Sequence, residues 1–284
     1  MKICRYDDNR VGRVEGDRVV DVTDALAVLP GQRWPVPPGD QLIAHLDEFV
    51  AAAAKVGDSA ARSLGDVRLL SPIANPTKII GAPVNYARHL DESREDKGIH
   101  FDRDIKTIDY YGLFLKASSS MVGPSEGVAL RFTDRRNDHE VELVAVIGKK
   151  ADRVSREEAL DYVAGYSVGL DMTVRGTEAR SFRKSIDTYT VIGPWFVTAD
   201  EITDPGQLDL ELTVNDELRQ RSNTSYLIFD VPRLIEYASS FYTLYPGDLI
   251  MTGTPEGVGP VRAGDTINAT VAGIGSITVD VRNA

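Results

Sequence analysis

The sequence predicts a mixed α+β fold that is mainly β. Most of the chain consists of short runs of β-branched and aliphatic residues that end at Gly, Pro, Asn or Asp, which is typical of strands joined by turns. Three segments, 41–55, 155–164 and 230–241, carry the capping residues or apolar spacing of longer helices. A length of 284 residues is enough for one large domain, or for a small domain beside a larger one.

The net charge and the cysteine content limit the kinds of partner and compartment that the sequence fits. A net charge of −11 argues against nucleic acid and against an anionic membrane surface, because both require basic clusters. An anionic substrate would have to be held by local positive charge from a metal, Lys or Arg. The single cysteine, Cys4, excludes an internal disulfide and fits a reducing cytoplasm. We find no signal segment and no apolar run long enough to span a membrane.

The N-terminal part predicts a small α+β module. Three short strands over 2–6, 10–15 and 18–22 alternate with turns, which indicates a β-meander. A Pro- and Gly-rich loop over 30–40 ends at Asp40, which can cap a helix that runs to about Lys55. The chain becomes extended again over 67–76. We therefore place a boundary near residue 70, with a module over 1–70 and a main body over 71–284.

A polar helical segment follows the first buried strand of the main body. The strand covers 78–81, and the segment 85–93 places His89 and Glu92 three residues apart, which makes them neighbours on a helix. The pair is either a surface ion pair or a dyad that activates water. Residues 93–108 carry many charges and little periodicity, so we predict a mobile flap or lid there.

The segment 138–148 predicts a strand with two carboxylates near its start. Glu140 and Glu142 would lie on the same face, about 6–7 Å apart, while Val141 and Leu143 face the other side. The pair is either a solvated acidic patch or part of a site for a hard divalent cation such as Mg²⁺, Mn²⁺ or Ca²⁺. Upstream, Lys116 ends another strand and is either a surface lysine or an anchor for an anion.

The next elements bring further candidate residues. A capping box at Ser155 and Glu158 predicts a helix to about residue 164. The strand over 166–173 places Asp171 near its end, where it could be a third metal ligand or could cap the following turn. Residues 175–187 predict a polar loop whose charges must be solvated or paired.

The C-terminal third predicts a hairpin, a helix and a Gly-rich loop. The hairpin joins 208–214 to 217–221 through Asn215 and Asp216, and Asp230 caps a helix to about residue 241. The loop after Tyr245 can bring backbone N–H groups and a hydroxyl close to an anion, but it lacks the Lys and the spacing of a P-loop. Two or three strands over 265–282 complete the chain.

Taken together and in this order, six blocks over roughly 70–284 resemble the fumarylacetoacetate hydrolase family. The blocks are Asn85-Tyr86-x-x-His89-x-x-Glu92, Glu140-x-Glu142-Leu143, Gly169-Leu170-Asp171-x-Thr173-x-Arg175, Lys184-Ser185-x-Asp187-Thr188, Ile192-Gly193-Pro194-Trp195 and Pro246-Gly247-Asp248-Leu249-Ile250-x-Thr252-Gly253-Thr254-Pro255-x-Gly257-Val258-Gly259. Residues 1–70 fit the small module that many bacterial members carry.

The resemblance implies a β-roll, a mixed β-sandwich barrel, that usually forms a homodimer. It implies that Glu140, Glu142 and Asp171 hold a divalent metal, with Mg²⁺ or Mn²⁺ preferred and Ca²⁺ as an alternative. It also implies that a lid carries the catalytic pair His89 and Glu92. The remaining residues that it implies are the catalytic Lys184 and the substrate contacts Lys116, Gly253 and Thr254.

One departure from the family pattern concerns the distal half of the substrate. Many members have an Arg-Asp-x-Gln segment whose glutamine contacts the substrate, whereas this chain has Arg175-Gly176-Thr177-Glu178. With Glu178 at this position, either the substrate carries a different polar group there or another residue takes over the contact. The segment 93–111 is also longer than the resemblance leads us to expect between lid and body, which again bears on substrate selection.

The activity that the resemblance implies is metal-dependent hydrolysis of a C–C bond in a 2,4-dioxo acid, such as fumarylpyruvate, maleylpyruvate or fumarylacetoacetate, in aromatic or sugar-acid catabolism. The metal would act as a Lewis acid, the His89–Glu92 pair would deprotonate water, and Lys184 would stabilise the enolate. The same site could instead decarboxylate oxaloacetate or isomerise a 2-oxo-enoate. A third interpretation is that the chain is a non-catalytic member that binds only a metal or a small acid.

Overall fold

The computed structural model describes residues 1–57 and 61–284, in which strands dominate. The strands are β1 Lys2–Tyr6, β2 Arg10–Glu15, β3 Arg18–Asp21, β4 Arg62–Ser63, β5 Leu69–Leu70, β6 Ile79–Gly81, β7 Phe114–Lys116, β8 Met121–Val122, β9 Val128–Leu130, β10 Asn137–His139, β11 Val141–Ile147, β12 Val163–Asp171, β13 Thr173–Val174, β14 Thr190–Thr198, β15 Asp209–Val214, β16 Glu217–Asn223, β17 Leu249–Met251, β18 Gly259–Pro260, β19 Thr266–Val271 and β20 Gly275–Asn283. The α-helices are α1 Gln41–Ala44, α2 Leu46–Ala53, α3 Ala87–Glu95, α4 Lys97–His100, α5 Ile108–Tyr111, α6 Arg180–Lys184 and α7 Val231–Phe241. Short 3₁₀ helices cover Thr23–Val28, Leu64–Asp66, Ser118–Ser120, Pro124–Glu126, Ala159–Tyr162, Ala199–Glu201 and Thr224–Tyr226. The predicted class, mixed α+β and mainly β, is confirmed.

The described strands form three sheets. The largest has the order β4-β3-β2-β1-β14-β12-β11-β17-β6-β7, with β5 beside β1 and β8 beside β14. A five-stranded sheet has the order β16-β15-β19-β20-β9, and a three-stranded sheet has the order β13-β10-β18. The largest sheet is open at both ends within the described ranges, so these strands do not close into a barrel.

Strand β11 lies at the centre of the large sheet and is buried on both faces. Val141, Leu143 and Ala145 contribute to the core that includes the five-stranded sheet and α7. Val144 and Val146 point the other way and pack in a second core with α2 and β1. Alternate side chains of a strand point to opposite faces, so this strand joins the two cores.

The N-terminal strands continue the large sheet. Strand β1 pairs antiparallel with β14, with Lys2 opposite Val197. The predicted cap, Asp40, accepts hydrogen bonds from Leu42 N at 3.0 Å and from Ala74 N at 2.9 Å, and therefore links the start of α1 to the chain that enters β6. The boundary near residue 70 stays a prediction, since the sheet runs across it.

Two helix predictions were wrong in their extent. Only half of the predicted capping box is present: Glu158 N donates to Ser155 Oγ at 3.4 Å, while the Glu158 side chain accepts from the Ser155 hydroxyl at 3.1 Å. Only the 3₁₀ turn at 159–162 follows it. From Val163 the chain pairs with β11 and β14, because its β-branched and small residues fit a buried strand better than a helix. The helix predicted over 41–55 is interrupted at His45 and forms α1 and α2.

Two C-terminal predictions are confirmed. The hairpin β15–β16 turns at Asn215 and Asp216, whose φ angles of +50° and +64° fit a two-residue hairpin turn. Asp230 caps α7 by accepting a hydrogen bond from Arg233 N at 2.9 Å. Among the described residues, every helix falls short of the length and apolar character that crossing a bilayer would require.

Candidate active site

Three carboxylates meet at the same end of two neighbouring central strands of the large sheet, because these strands pair with each other. Glu140 lies between β10 and β11, where the chain leaves the three-stranded sheet. Asp171 ends β12, which pairs with β11 so that Glu142 is opposite Gly169. The backbone N–H of Asp171 donates to the carbonyl of Glu140 at 2.9 Å. The pairing of two neighbouring strands therefore places all three side chains together.

These carboxylates form one buried cluster. Oxygen atoms of Glu140, Glu142 and Asp171 lie within 4.8 Å of one another. The ammonium group of Lys184 donates to Glu140 at 2.7 Å and to Asp171 at 2.6 Å, and Lys116 also donates to Asp171. A compact set of buried carboxylate oxygens is the donor set that hard divalent cations prefer, so these residues fit such a metal.

The charges of the cluster are unevenly balanced. Burial alone would raise the pKa of Glu140, but the nearby cations Lys184 and Arg175 outweigh burial and lower this pKa to about 2. Burial, followed by the charge of Asp171, raises the pKa of Glu142 well above its usual value. The cluster therefore lacks positive charge beside Glu142, and a divalent cation would supply it.

The loop after β17 closes one side of the cluster. Gly253 N donates to Glu142 Oε2 at 2.8 Å. Gly253 has a φ of +98°, and a Cβ there would lie 2.7 Å from the Cβ of Asn85, so only glycine fits. The hydroxyl oxygen of the buried Thr254 accepts a hydrogen bond from Gln220 Nε2 at 2.8 Å. The proton of this hydroxyl therefore remains available to a ligand in the cavity.

The predicted dyad is formed, and its histidine faces the same cavity. His89 and Glu92 lie on α3, where His89 Nδ1 is 2.8 Å from Glu92 Oε2. Gly257 N donates to the other oxygen of Glu92 at 2.9 Å, which docks α3 on the Gly-rich loop. His89 lines the cavity together with the acidic cluster. Its Nε2 is the nitrogen that Glu92 does not contact.

Glu178 lines this cavity, which has a volume of about 210 Å³. Its two carboxylate oxygens accept hydrogen bonds from Arg135 at 3.0 Å and 2.9 Å. These hydrogen bonds lower the pKa of Glu178. The carboxylate is therefore ionised and already paired with a cation.

Seven of the ten predicted site residues line one cavity, and the other three, Glu92, Lys116 and Gly253, each contact a residue that does. The individual functions of all ten stay predictions. The sequence reasoning assigned no function to Arg175, whose guanidinium donates to Glu140 at 3.1 Å and to Asp138 at 2.7 Å. The alternation of Asp138, Glu140 and Glu142 was the available signal, because three carboxylates at i, i+2 and i+4 require a buried cation. Thr173 was also missed, and its hydroxyl donates to Glu140 at 3.0 Å.

A mainly β fold that buries three carboxylates and two lysines beside a His–Glu pair defines a divalent-metal enzyme. The family model "Fumarylacetoacetate (FAA) hydrolase C-terminal" matches residues 78–282. The chain belongs to the fumarylacetoacetate hydrolase family.

Three relatives indicate which activities are named within this family. A maleylpyruvate hydrolase of Aquipseudomonas alcaligenes is 57% identical, with 100% of both chains covered. The solved structure of maleylpyruvate hydrolase from Sphingobium sp. SYK-6 in complex with manganese (II) ion and pyruvate is 40% identical with a TM-score of 0.84, and again 100% of both chains is covered. The mitochondrial oxaloacetate tautomerase fahd2 of Xenopus laevis is 36% identical over 76% of this chain and 69% of its own.

Proposed function

We propose that the protein is a divalent-metal-dependent hydrolase that cleaves a C–C bond of a 2,4-dioxo acid of the maleylpyruvate type. The observation that carries this proposal is the buried cluster of Glu140, Glu142 and Asp171 in one cavity with His89, whose ring nitrogen contacts Glu92. The predicted enzyme class is confirmed by the relative that is 57% identical and is named a maleylpyruvate hydrolase.

The metal would be held by Glu140, Glu142 and Asp171. When bound, it supplies Lewis acidity and a template for the oxygens of a 2-oxo acid. We propose Mg²⁺ or Mn²⁺, since both prefer carboxylate oxygens and the related structure carries manganese (II) ion and pyruvate.

Residues of the chain then accept the proton and stabilise the negative charge that the reaction produces. His89, oriented by Glu92, accepts a proton from water as the water oxygen attacks the distal carbonyl carbon of the substrate. The bond between the attacked carbon and the neighbouring CH₂ group then breaks, and its electron pair stays on the 2-oxo acid fragment as an enolate. The attacked carbonyl leaves as a carboxylic acid, and the enolate takes up a proton, which balances the one that His89 accepted, to give the 2-oxo acid. Lys184 stabilises the negative charge of this enolate, and the hydroxyl of Thr254 donates to its carboxylate.

Lys116 and Gly253 act on the acidic cluster in this proposal. Lys116 Nζ donates to the carbonyl of Tyr189 at 2.8 Å and to Asp171 Oδ1, whereas Lys184 donates to Asp171 Oδ2. Gly253 fixes Glu142 through its backbone N–H. Both residues position the carboxylates that receive the metal and the substrate.

Keto–enol tautomerisation or decarboxylation of oxaloacetate is the second candidate activity, because a relative is named an oxaloacetate tautomerase. The His89–Glu92 pair favours hydrolysis over decarboxylation, since decarboxylation requires no activated water. The test is an assay of maleylpyruvate, fumarylpyruvate, acetylpyruvate and oxaloacetate with Mg²⁺ or Mn²⁺, with EDTA as the control. Turnover of oxaloacetate far above that of every acylpyruvate would contradict the proposal.

We further propose a homodimer in the cytoplasm. An apolar surface beside α6 includes Phe182 and Phe132, whose exposed fractions are 73% and 40%. Large exposed aromatic side chains of this kind are typical of subunit interfaces. Sedimentation of the wild type and of Phe182→Asp tests this: a dimer that dissociates in the variant supports it, and a wild-type monomer contradicts it. The cytoplasmic location rests on the single buried cysteine.

A further inference from the structure

A second set of charged residues in the cavity lies outside the acidic cluster. Arg103, Arg180 and Arg183 line the same cavity as Glu140, Glu142 and Asp171. Arg180 and Arg183 belong to α6, the helix that ends at Lys184, whereas Arg103 comes from the flap between α4 and α5. The cavity therefore has an acidic floor and a wall of arginines.

These arginines are held in place without a carboxylate partner among the described ion pairs. Arg183 donates to the carbonyls of Glu178 at 2.9 Å and Val174 at 3.1 Å. The guanidinium of Arg180 lies 3.9 Å from the ring centroid of Tyr111. Such contacts orient a guanidinium but leave its charge uncompensated.

Arg103 is held in the same manner. It donates to the carbonyls of Gly176 at 3.1 Å and Thr177 at 3.3 Å. These hydrogen bonds hold the flap against the loop between β13 and α6.

Neighbouring arginines show the contrast. Arg175 pairs with Asp138 and Glu140, and Arg135 pairs with both oxygens of Glu178. Because both oxygens of Glu178 are paired with Arg135, this carboxylate compensates the charge of Arg183 only in part.

The positive charge of the wall is costly in the absence of an anion. Arg183 is only 7% exposed. Burial, followed by repulsion from Arg175 and Arg180, lowers the pKa of Arg183 to about 10. A buried cation that lacks a counter-charge gains most from a bound anion.

We propose that Arg180 and Arg183, with Arg103 from the flap, bind the terminal carboxylate of a dicarboxylic 2,4-dioxo acid, at the end distal to the acidic cluster. This inference rests on the proposed function and deepens it, because it names the residues that recognise the second carboxylate of a maleylpyruvate-type substrate. The arginine wall then selects these diacids over acylpyruvates with a neutral end, such as acetylpyruvate.

The test compares kcat/KM for maleylpyruvate and acetylpyruvate in the wild type, Arg180→Gln and Arg183→Gln, with Mn²⁺ present. Arg156→Gln is the matched control, because Arg156 is an exposed arginine that pairs with Asp230 away from the cavity. Loss of a charge-assisted hydrogen bond should lower the ratio of the two kcat/KM values about 10- to 100-fold in each cavity variant. The ratio should be unchanged in Arg156→Gln.

The outcomes separate this inference from the proposed function. If the wild type hydrolyses maleylpyruvate but both cavity variants keep the wild-type ratio, the arginine wall is refuted while the function stands. If the wild type hydrolyses neither compound, both proposals fail. Arg180→Lys provides a check that does not depend on the more buried Arg183, since a retained charge at position 180 should restore part of the ratio. An Arg180→Lys ratio equal to that of Arg180→Gln would count against charge recognition.

Discussion

Replacement of Lys184 by methionine tests how the acidic cluster is balanced. Lys184 Nζ lies 2.7 Å from Glu140 and 2.6 Å from Asp171, and its side chain is only 7% exposed. One such contact corresponds to about 6 kcal/mol of Coulomb attraction at an effective dielectric constant of about 20, and desolvation of the ammonium group offsets part of it. Removal of one partner of a buried ion pair typically costs about 3–5 kcal/mol.

We expect the free energy of unfolding of Lys184→Met to fall by about 3 kcal/mol in EDTA, toward the lower limit because repulsion between Lys184 and Lys116 is also removed. The loss should be smaller with saturating Mn²⁺, since a divalent cation neutralises the same carboxylates. Urea unfolding with and without Mn²⁺ measures both values, and Lys150→Met, at an exposed lysine, is the control. Equal losses in EDTA and in Mn²⁺ would refute the reasoning.

Three further predictions concern separate parts of the molecule. His89→Ala should lower kcat about 10²- to 10⁴-fold with Mn²⁺ affinity unchanged, and unchanged turnover would remove His89 from the proton transfer. Asp40→Ala should lower the free energy of unfolding by about 3 kcal/mol in urea, because four backbone N–H groups lose their acceptor, and Asp40→Asn should lose less; equal losses would contradict this account. Burial raises the pKa of Cys4 to about 12, so a disulfide reagent at pH 8 should label the native thiol about 10³-fold more slowly than the urea-unfolded thiol, and equal rates would contradict its burial.

Local patterns predicted the site well where one strand or one helical turn determines it. The spacing of Glu140 and Glu142 placed both on one face of a strand, and the structure has them in one cluster. The spacing of His89 and Glu92 predicted neighbours on a helix, and α3 has this geometry. Asp171 required tertiary information, because only the pairing of β11 with β12 brings it to Glu140.

Features that depend on distant contacts could not be predicted in this way. The capping box at Ser155 is a valid local signal, but the pairing of β12 on both sides stabilises a strand from Val163 onward. For the arginines of α6, the sequence predicts only that their charges must be solvated or paired. Their position in the cavity depends on how α6 packs against β7 and β13, which no spacing along the chain shows.

The central claim is that Glu140, Glu142 and Asp171 bind one divalent metal that the reaction requires. Calorimetric titration of Mn²⁺ into the EDTA-treated and dialysed protein tests it most directly, with Glu142→Gln as the comparison. Glutamine keeps the size of the side chain but removes a carboxylate that lies within 4.8 Å of the other two. We predict one saturable site per chain in the wild type and at least about 100-fold weaker binding in Glu142→Gln, in parallel with loss of maleylpyruvate turnover. Equal affinity in the two proteins, or no saturable binding in the wild type, would contradict the account.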